Sequence, residues 1–309
     1  MGGVLIGFAI IGAIILVGYL VGRWGVLGDQ GRMVLSRGAF YVFSPALLFT
    51  ILADADVRVL FSSLLVASVI AAFAAFLIYV LIARLIWKRP VAPTIIGALS
   101  SGYVKANNIG IPVAVYVLGD TAYSAPVILM QLVVLTPIAL TILDIATGGR
   151  MSVGSALLKP LKNPLLIGSA LGVIVAVTEI EIPAPIFEPF RIVGAAAVPL
   201  VLIAFGMSLH GQKLLAPGSG RRDILTASAI KLAVMPLIAW VFGRFVFGLD
   251  GQLLFVVVVL AGLPTAQNIF VFAQRYGRGV PLARDVVLIT TVGAVPVLVG
   301  VAALLAPAV

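Results

Sequence analysis

Residues 100–112 read Ser100-Ser101-Gly102-Tyr103-Val104-Lys105-Ala106-Asn107-Asn108-Ile109-Gly110-Ile111-Pro112, and residues 261–268 read Ala261-Gly262-Leu263-Pro264-Thr265-Ala266-Gln267-Asn268. Each stretch lies inside a long apolar run and is polar and helix-breaking where its surroundings are leucine, valine and alanine. A proline removes one backbone donor and clashes with the carbonyl four residues earlier, and a nearby glycine gives the freed chain room to turn. Both stretches are expected to be interrupted helices, broken at Gly110 and Pro112 in the first and at Pro264 in the second.

The apolar runs on either side identify the solvent. Of the 309 residues 62% are apolar and 10% charged, whereas a soluble domain carries about 25% charged residues. A span needs about 20 mostly apolar residues to cross a hydrocarbon core of about 30 Å. That rule gives ten candidates, near 3–22, 33–52, 59–83, 91–117, 122–146, 164–179, 191–210, 224–246, 252–274 and 283–306. The first lacks a basic leader and exceeds the apolar core of a signal peptide, so it reads as a retained span. Irregular backbone facing lipid leaves amides unsatisfied. The fold class is therefore an all-α integral membrane protein, its ten helices packed as a bundle.

Twenty basic against eleven acidic residues give a net charge of +9. In a soluble protein that balance would suggest nucleic acid; here the charges sit in short loops between spans and report topology, with no nucleic acid implied. The chain has no cysteine and a single histidine, His210, which excludes disulfides, thiolate chemistry and a zinc site. The spans offer no nucleophile with its base and no paired carboxylates, so an enzyme is not expected.

Fifteen of the twenty basic residues fall in the loops after spans 1, 3, 5, 7 and 9, among them Arg23, Lys88, Arg150, Lys213 and Arg278. The other loops hold Arg58, Arg191 and Arg244 with most of the acids. The positive-inside rule then puts the first set in the cytoplasm and both termini outside. Two pieces of sequence recur between the halves. Arg37 precedes Pro45 by eight positions as Arg191 precedes Pro199, and Ala106-Asn107-Asn108-Ile109 answers Ala266-Gln267-Asn268-Ile269 at an offset of 160. Both matches set span n against span n + 5. A five-span unit repeated once must enter the membrane from opposite sides, as the charges require. The expected units are residues 1–150 and 151–309. Inverted repeats with broken helices in matching positions point to the binding site of a secondary transporter.

At such a break, half-helix N-termini offer free N–H groups to a carboxylate and half-helix C-termini offer carbonyls to a cation. Asn107, Asn108, Gln267 and Asn268 add amides that donate or accept, and so orient a polar ligand without a fixed charge. Lys105 lies 16 residues past Arg89, about 24 Å along a helix. A charge at that depth costs about 2.5–3.5 kcal/mol. It is expected to face a cavity, there to pair with an anionic substrate or to take the place of a coupling cation; the bland reading is a lysine reaching for the outer interface. Gln131 and Thr291, 160 apart at mid-span, are further candidates to line the site, although either could simply bond a neighbouring helix. Lys231 and Asp144 read as snorkelling or mutually paired, with a proton-relay role for either as the lesser alternative.

Four motifs extend the pattern: Asn108-Ile109-Gly110-Ile111-Pro112 with Gly119-Asp120; Asn163-Pro164-Leu165-Leu166-Ile167-Gly168; Pro199 to Leu209, ending Gly206-Met207-Ser208-Leu209; and Pro264-Thr265-Ala266 leading to Ala273-Gln274-Arg275-Tyr276-Gly277, with Thr290-Thr291 beyond. In this order, over nearly the whole chain, they resemble the auxin efflux carrier family, which includes plant auxin exporters and bacterial permeases for small organic acids such as malonate and malate. The resemblance implies a fold shared with bile-acid sodium symporters. Helices 1, 2, 6 and 7 would form a scaffold, often dimeric, and helices 3–5 and 8–10 a mobile domain that moves like an elevator. It also implies that Asn108 and Pro112, and Pro264 with the polar residues after it, receive a carboxylate at the crossover. The chain lacks the long cytoplasmic loop of many plant members, carries the unexpected Lys105, and has no acid in span 3 for proton coupling.

The expectation is a multi-pass protein of the cell membrane that moves a small organic anion by alternating access, as a homodimer and without a cofactor. A coupling cation, Na+ or H+, is left open. The alternative is a sensor or transceptor that binds the ligand without moving it.

Overall fold

A computed structural model describes residues 2–28, 30–54, 63–119, 121–148, 164–211, 215 and 220–306. The loop charges Arg58, Arg150, Lys159, Lys162 and Lys213, the motif residues Asp120 and Asn163, and the boundary between the two expected units lie outside the described residues. The described chain is helical, with no strand beyond one isolated pair of bridged residues. In order the helices are α1 (Gly2–Arg23), α2 (Gly31–Ala53), α3 (Ser63–Ile86), α4 (Val91–Gly102), α5 (106–118), α6 (121–146), α7 (Pro164–Thr178), α8 (184–209), α9 (Arg221–Val246), α10 (Gly251–Gly262), α11 (Asn268–Tyr276) and α12 (Val280–Leu305).

Five of these, α2, α3, α8, α9 and α12, are long and apolar enough to cross a membrane by length and composition. The apolar helices α4 and α10 are too short to do so alone, because each is the first part of an interrupted run continued by α5 or α11. Three helices begin three or more residues earlier than hydropathy suggests. α8 starts at Ala184, not 191; α9 at Arg221, not 224; α12 at Val280, not 283. Proline is tolerated in a first helical turn, whose N–H groups have no intrahelical partner, and Pro185 and Pro281 occupy such positions. Arg191 and Arg244 are therefore helical residues and not loop residues; Arg191 pairs with Asp54 at 3.1 Å, joining α8 to the end of α2.

Where helices cannot gain by hiding apolar surface from water, small residues allow close backbone approach. α1 lies along α8, and α2 packs on α7 and α8. A Cβ on Gly206 would stand 2.1 Å from the Ile15 carbonyl oxygen, and one on Gly168 2.4 Å from that of Pro45. A second set, α3, α4, α9, α10 and α12, encloses the most buried stretch of the chain, Phe255 to Leu263.

Local geometry recurs at the sequence offset of 160. α3 and α9 both end in a widened turn, with Trp87 N–H donating to Ile82 O (3.2 Å) and Arg89 N–H to Ala83 O (2.8 Å), as Phe247 N–H does to Phe242 O (3.0 Å) and Leu249 N–H to Gly243 O (2.8 Å). The left-handed residue that follows is Lys88 in one case (φ 53°) and Gly248 in the other (φ 62°). α4 and α10 then begin and end 160 residues apart. On the cytoplasmic side of the expected topology, Arg89 clamps Asp223 in the first turn of α9 through Nη2 (2.7 Å) and Nε (3.2 Å), with Tyr79 donating to the same carboxylate at 3.4 Å.

Candidate functional site

The two interrupted helices meet at their breaks. α4 stops at Gly102 and α10 at Gly262, and Tyr103 (ψ 110°) and Leu263 (ψ 146°) turn the chain into extended backbone. Val104 and Thr265 then bridge in antiparallel fashion: Lys105 N–H donates to Pro264 O at 2.8 Å and Ala266 N–H to Tyr103 O at 3.0 Å. Each break thereby satisfies the other's amides, which is the condition for irregular backbone at membrane depth. Pro264 sits inside its break. Gly110 and Pro112, expected at the first break, lie instead within α5. The wide turn Ala106–Gly110, closed by Gly110 N–H on Lys105 O at 2.9 Å, leaves space for the ring of Pro112 without interrupting the helix. A Cβ on Gly110 would stand 3.0 Å from Leu263 Cδ1 and would require that methyl to shift.

Four half-helix ends converge here. The carbonyl end of α4 is closed from the other half of the chain by Thr265, whose hydroxyl donates to Ser100 O at 2.6 Å. Thr265 N–H donates in turn to Thr290 Oγ1 of α12 at 3.1 Å. The carbonyl end of α10 is closed by Lys231 of α9, whose ammonium donates to Ala261 O. The Tyr103 hydroxyl pairs with Thr136 Oγ1 at 2.9 Å. Asn107 and Asn108 lie in the first turn of α5, with side chains outside the described set. Asn268 opens α11 and Gln267 precedes it, its carbonyl accepting from Phe270 and Val271 N–H.

Lys105 is 2% exposed. Its ammonium has no hydrogen-bond partner among the described residues and rests 3.8 Å from the centroid of the Phe205 ring on α8. A desolvated cation–π contact contributes about 2 kcal/mol, less than the cost of about 2.5–3.5 kcal/mol for a charge at the centre of a span. Among the described residues the cost of burying this ammonium is therefore only partly offset. Lys105 does not reach for the interface.

Gln131 is buried beside the crossing. Its Nε2 donates to Val127 O at 3.3 Å while Oε1 has no partner among the described residues. Thr291 spends its hydroxyl on Val287 O of its own helix at 2.6 Å, and its neighbour Thr290 reaches the break instead. The expectation for Lys231 and Asp144 is corrected. Lys231 is fully buried and does not snorkel, and Asp144 takes its hydrogen bond from Tyr276 at 2.9 Å, not from Lys231. Sequence reasoning assigned no role to Thr290, Tyr103 or Phe205, and gave Thr265 only as one of the polar residues after Pro264 that the resemblance sets at the crossover. The only signal was a hydroxyl beside Pro264 and the Thr290-Thr291 pair.

An apolar helical bundle whose interrupted helices bridge in its interior defines a membrane transport protein. The model of the membrane transport protein family matches residues 4–301, and the chain belongs to that family, the auxin efflux carrier family of the sequence resemblance. It is similar to a protein of Rhizobium meliloti (strain 1021) named "Putative malonate transporter", with 25% identity over 93% of this chain and 91% of the relative. It is also similar to the "Uncharacterized transporter YfdV" of Escherichia coli (strain K12), at 23% identity over 85% of each chain. A third relative, "Probable auxin efflux carrier component 5b" of Oryza sativa subsp. japonica, is 29% identical over 46% of this chain and 39% of its own.

Proposed function

We propose that the chain is a secondary active or facilitative carrier of a small organic anion, a carboxylate, bound at the crossing of the interrupted helices. The observation that carries this reading is Lys105, a buried cation without a hydrogen-bond partner among the described residues, at the point where the N-termini of α5 and α11 begin. Helix N-termini and an ammonium together attract an anion, and the amides of Asn107, Asn108, Gln267 and Asn268 orient it. Gln131 contributes from α6, and Thr291 stands one residue from the crossing contact of α12. A relative named for malonate, a dicarboxylate, agrees with the sign and size of that ligand.

The ten spans are two inverted five-helix repeats, 1–150 and 151–309, with α4–α5 and α10–α11 each counting as one span. The offset of 160 shared by the ends of α3 and α9 and by the limits of α4 and α10 supports the repeat. α1, α2, α7 and α8, which pack on one another, form the scaffold of a homodimer; the remaining helices carry the substrate past it in an elevator motion. A cavity of about 10 Å³ beside the crossing, bordered by Gly102, Val104 and Gln131 among others, has about the room of one water. The protein sits in the cell membrane with both termini outside.

Uptake of labelled mono- and dicarboxylates into liposomes tests the reading. Wild type accumulates at least one of them, and Lys105→Met, Asn108→Ala and Asn268→Ala lose binding while remaining folded. Absence of uptake of every carboxylate by folded protein would overturn the anion assignment, and unchanged affinity in all three variants would overturn the site.

A further inference from the structure

The last carbonyls of a helix have no intrahelical donor and carry the negative end of its dipole. At the break of α4 that end is closed by a neutral group, the Thr265 hydroxyl. At the break of α10 it is closed by a charge. Lys231, wholly buried in α9, donates to Ala261 O and lies 3.2 Å from Met235 Sδ. The acids that form ion pairs among the described residues are Asp54, Asp223 and Asp285, each with an arginine, so no carboxylate there pairs with this ammonium.

Beside it lies the 10 Å³ cavity, whose wall includes Met235 and Ala261, the two residues that hold the ammonium, together with Ser68 and Gln131. Ser68 Oγ and Gln131 Oε1 are buried with no hydrogen-bond partner among the described residues. A helix-end carbonyl, an amide and a hydroxyl carried by residues that border one small space at a half-helix C-terminus are the donor chemistry of a hard monovalent cation, and discontinuous transporter helices bind coupling cations at such ends. Here a cation is already present, attached to the chain.

We infer that Lys231 is a tethered cation: its ammonium takes the position of an inorganic monovalent ion at the end of α10, and the protein completes this half-helix without one. Shortening the side chain vacates the position for a free cation. The link to transport rests on the carrier reading, but the site itself rests on α9 and α10 alone. It is therefore tested by stability and not by uptake.

Thermal unfolding of purified protein in sodium, ammonium and choline chloride at equal ionic strength is the experiment. The wild-type midpoint is the same in all three. K231A, extracted in ammonium chloride to keep it folded, loses stability on exchange into choline and regains most of it, saturably, in sodium or ammonium. K231M, which removes the charge but fills the space, is destabilised and regains nothing. A saturable, sodium-specific rise in the wild-type midpoint would overturn the inference, as would a K231A indifferent to all three salts or a K231M rescued as well as K231A. Once a carboxylate is shown to be carried, wild-type uptake is equal in sodium and choline. Sodium-stimulated uptake would sink the inference and leave the carrier reading standing.

Discussion

Thr265 and Ser100, 165 residues apart in sequence, are joined by a 2.6 Å hydrogen bond from the Thr265 hydroxyl to the Ser100 carbonyl. One half of the chain thus closes a helix of the other at the point where both helices are interrupted. Thr265 is fully buried, so water cannot replace the bond.

Thr265→Val keeps the shape and removes the donor. Leaving a buried carbonyl unsatisfied costs about 1–3 kcal/mol, so the variant unfolds at lower temperature in detergent, while Thr265→Ser retains most of the wild-type stability. A Val variant as stable as wild type would mean that the hydroxyl does not hold the crossing.

The resting partner of Lys105 is the ring of Phe205, 3.8 Å away. Phe205→Leu leaves apolar bulk but removes a contact contributing about 0.5–2 kcal/mol. In the proposed site the ammonium leaves that ring for the anion, so the variant binds the carboxylate more tightly, by about two- to thirtyfold at 1.4 kcal/mol per decade. Calorimetric titration measures it; weaker binding would place Phe205 in contact with the ligand instead.

Arg89 and Asp223 form a two-pronged pair between the turn after α3 and the first turn of α9. The arginine is half exposed, so screening limits the pair to about 1 kcal/mol. Asp223→Asn lowers the unfolding midpoint slightly, and the loss shrinks in high salt. The double exchange Arg89→Asp with Asp223→Arg recovers part of what either single exchange loses.

Fifteen of the basic residues fall in or beside alternate inter-span loops of the expected topology, and the charge bias sets orientation. A reporter fused to either terminus is active on the outer face of the membrane. Activity on the cytoplasmic face would reverse the map and, with it, the side to which Arg89 and Asp223 belong.

The sequence by itself determined the solvent and the helical class, and it marked the two stretches in which helices are interrupted. Hydrophobic runs register burial in lipid directly, and a polar, proline-bearing stretch inside such a run can only be a break. It also determined the pairing of the two breaks, because Ala106-Asn107-Asn108-Ile109 and Ala266-Gln267-Asn268-Ile269 are visible as a repeat. Tertiary structure alone decided how the breaks are satisfied. Pro112 looks like the interruption, yet the chain unwinds at Tyr103–Lys105, where Pro264 O and Ala266 N–H from the other half supply the missing backbone partners. It also gave Thr265, Thr290 and Lys231 their tasks. Propensity and hydropathy are local, whereas the hydrogen-bond partners these side chains find lie 25 to 165 residues away. No window of sequence contains them.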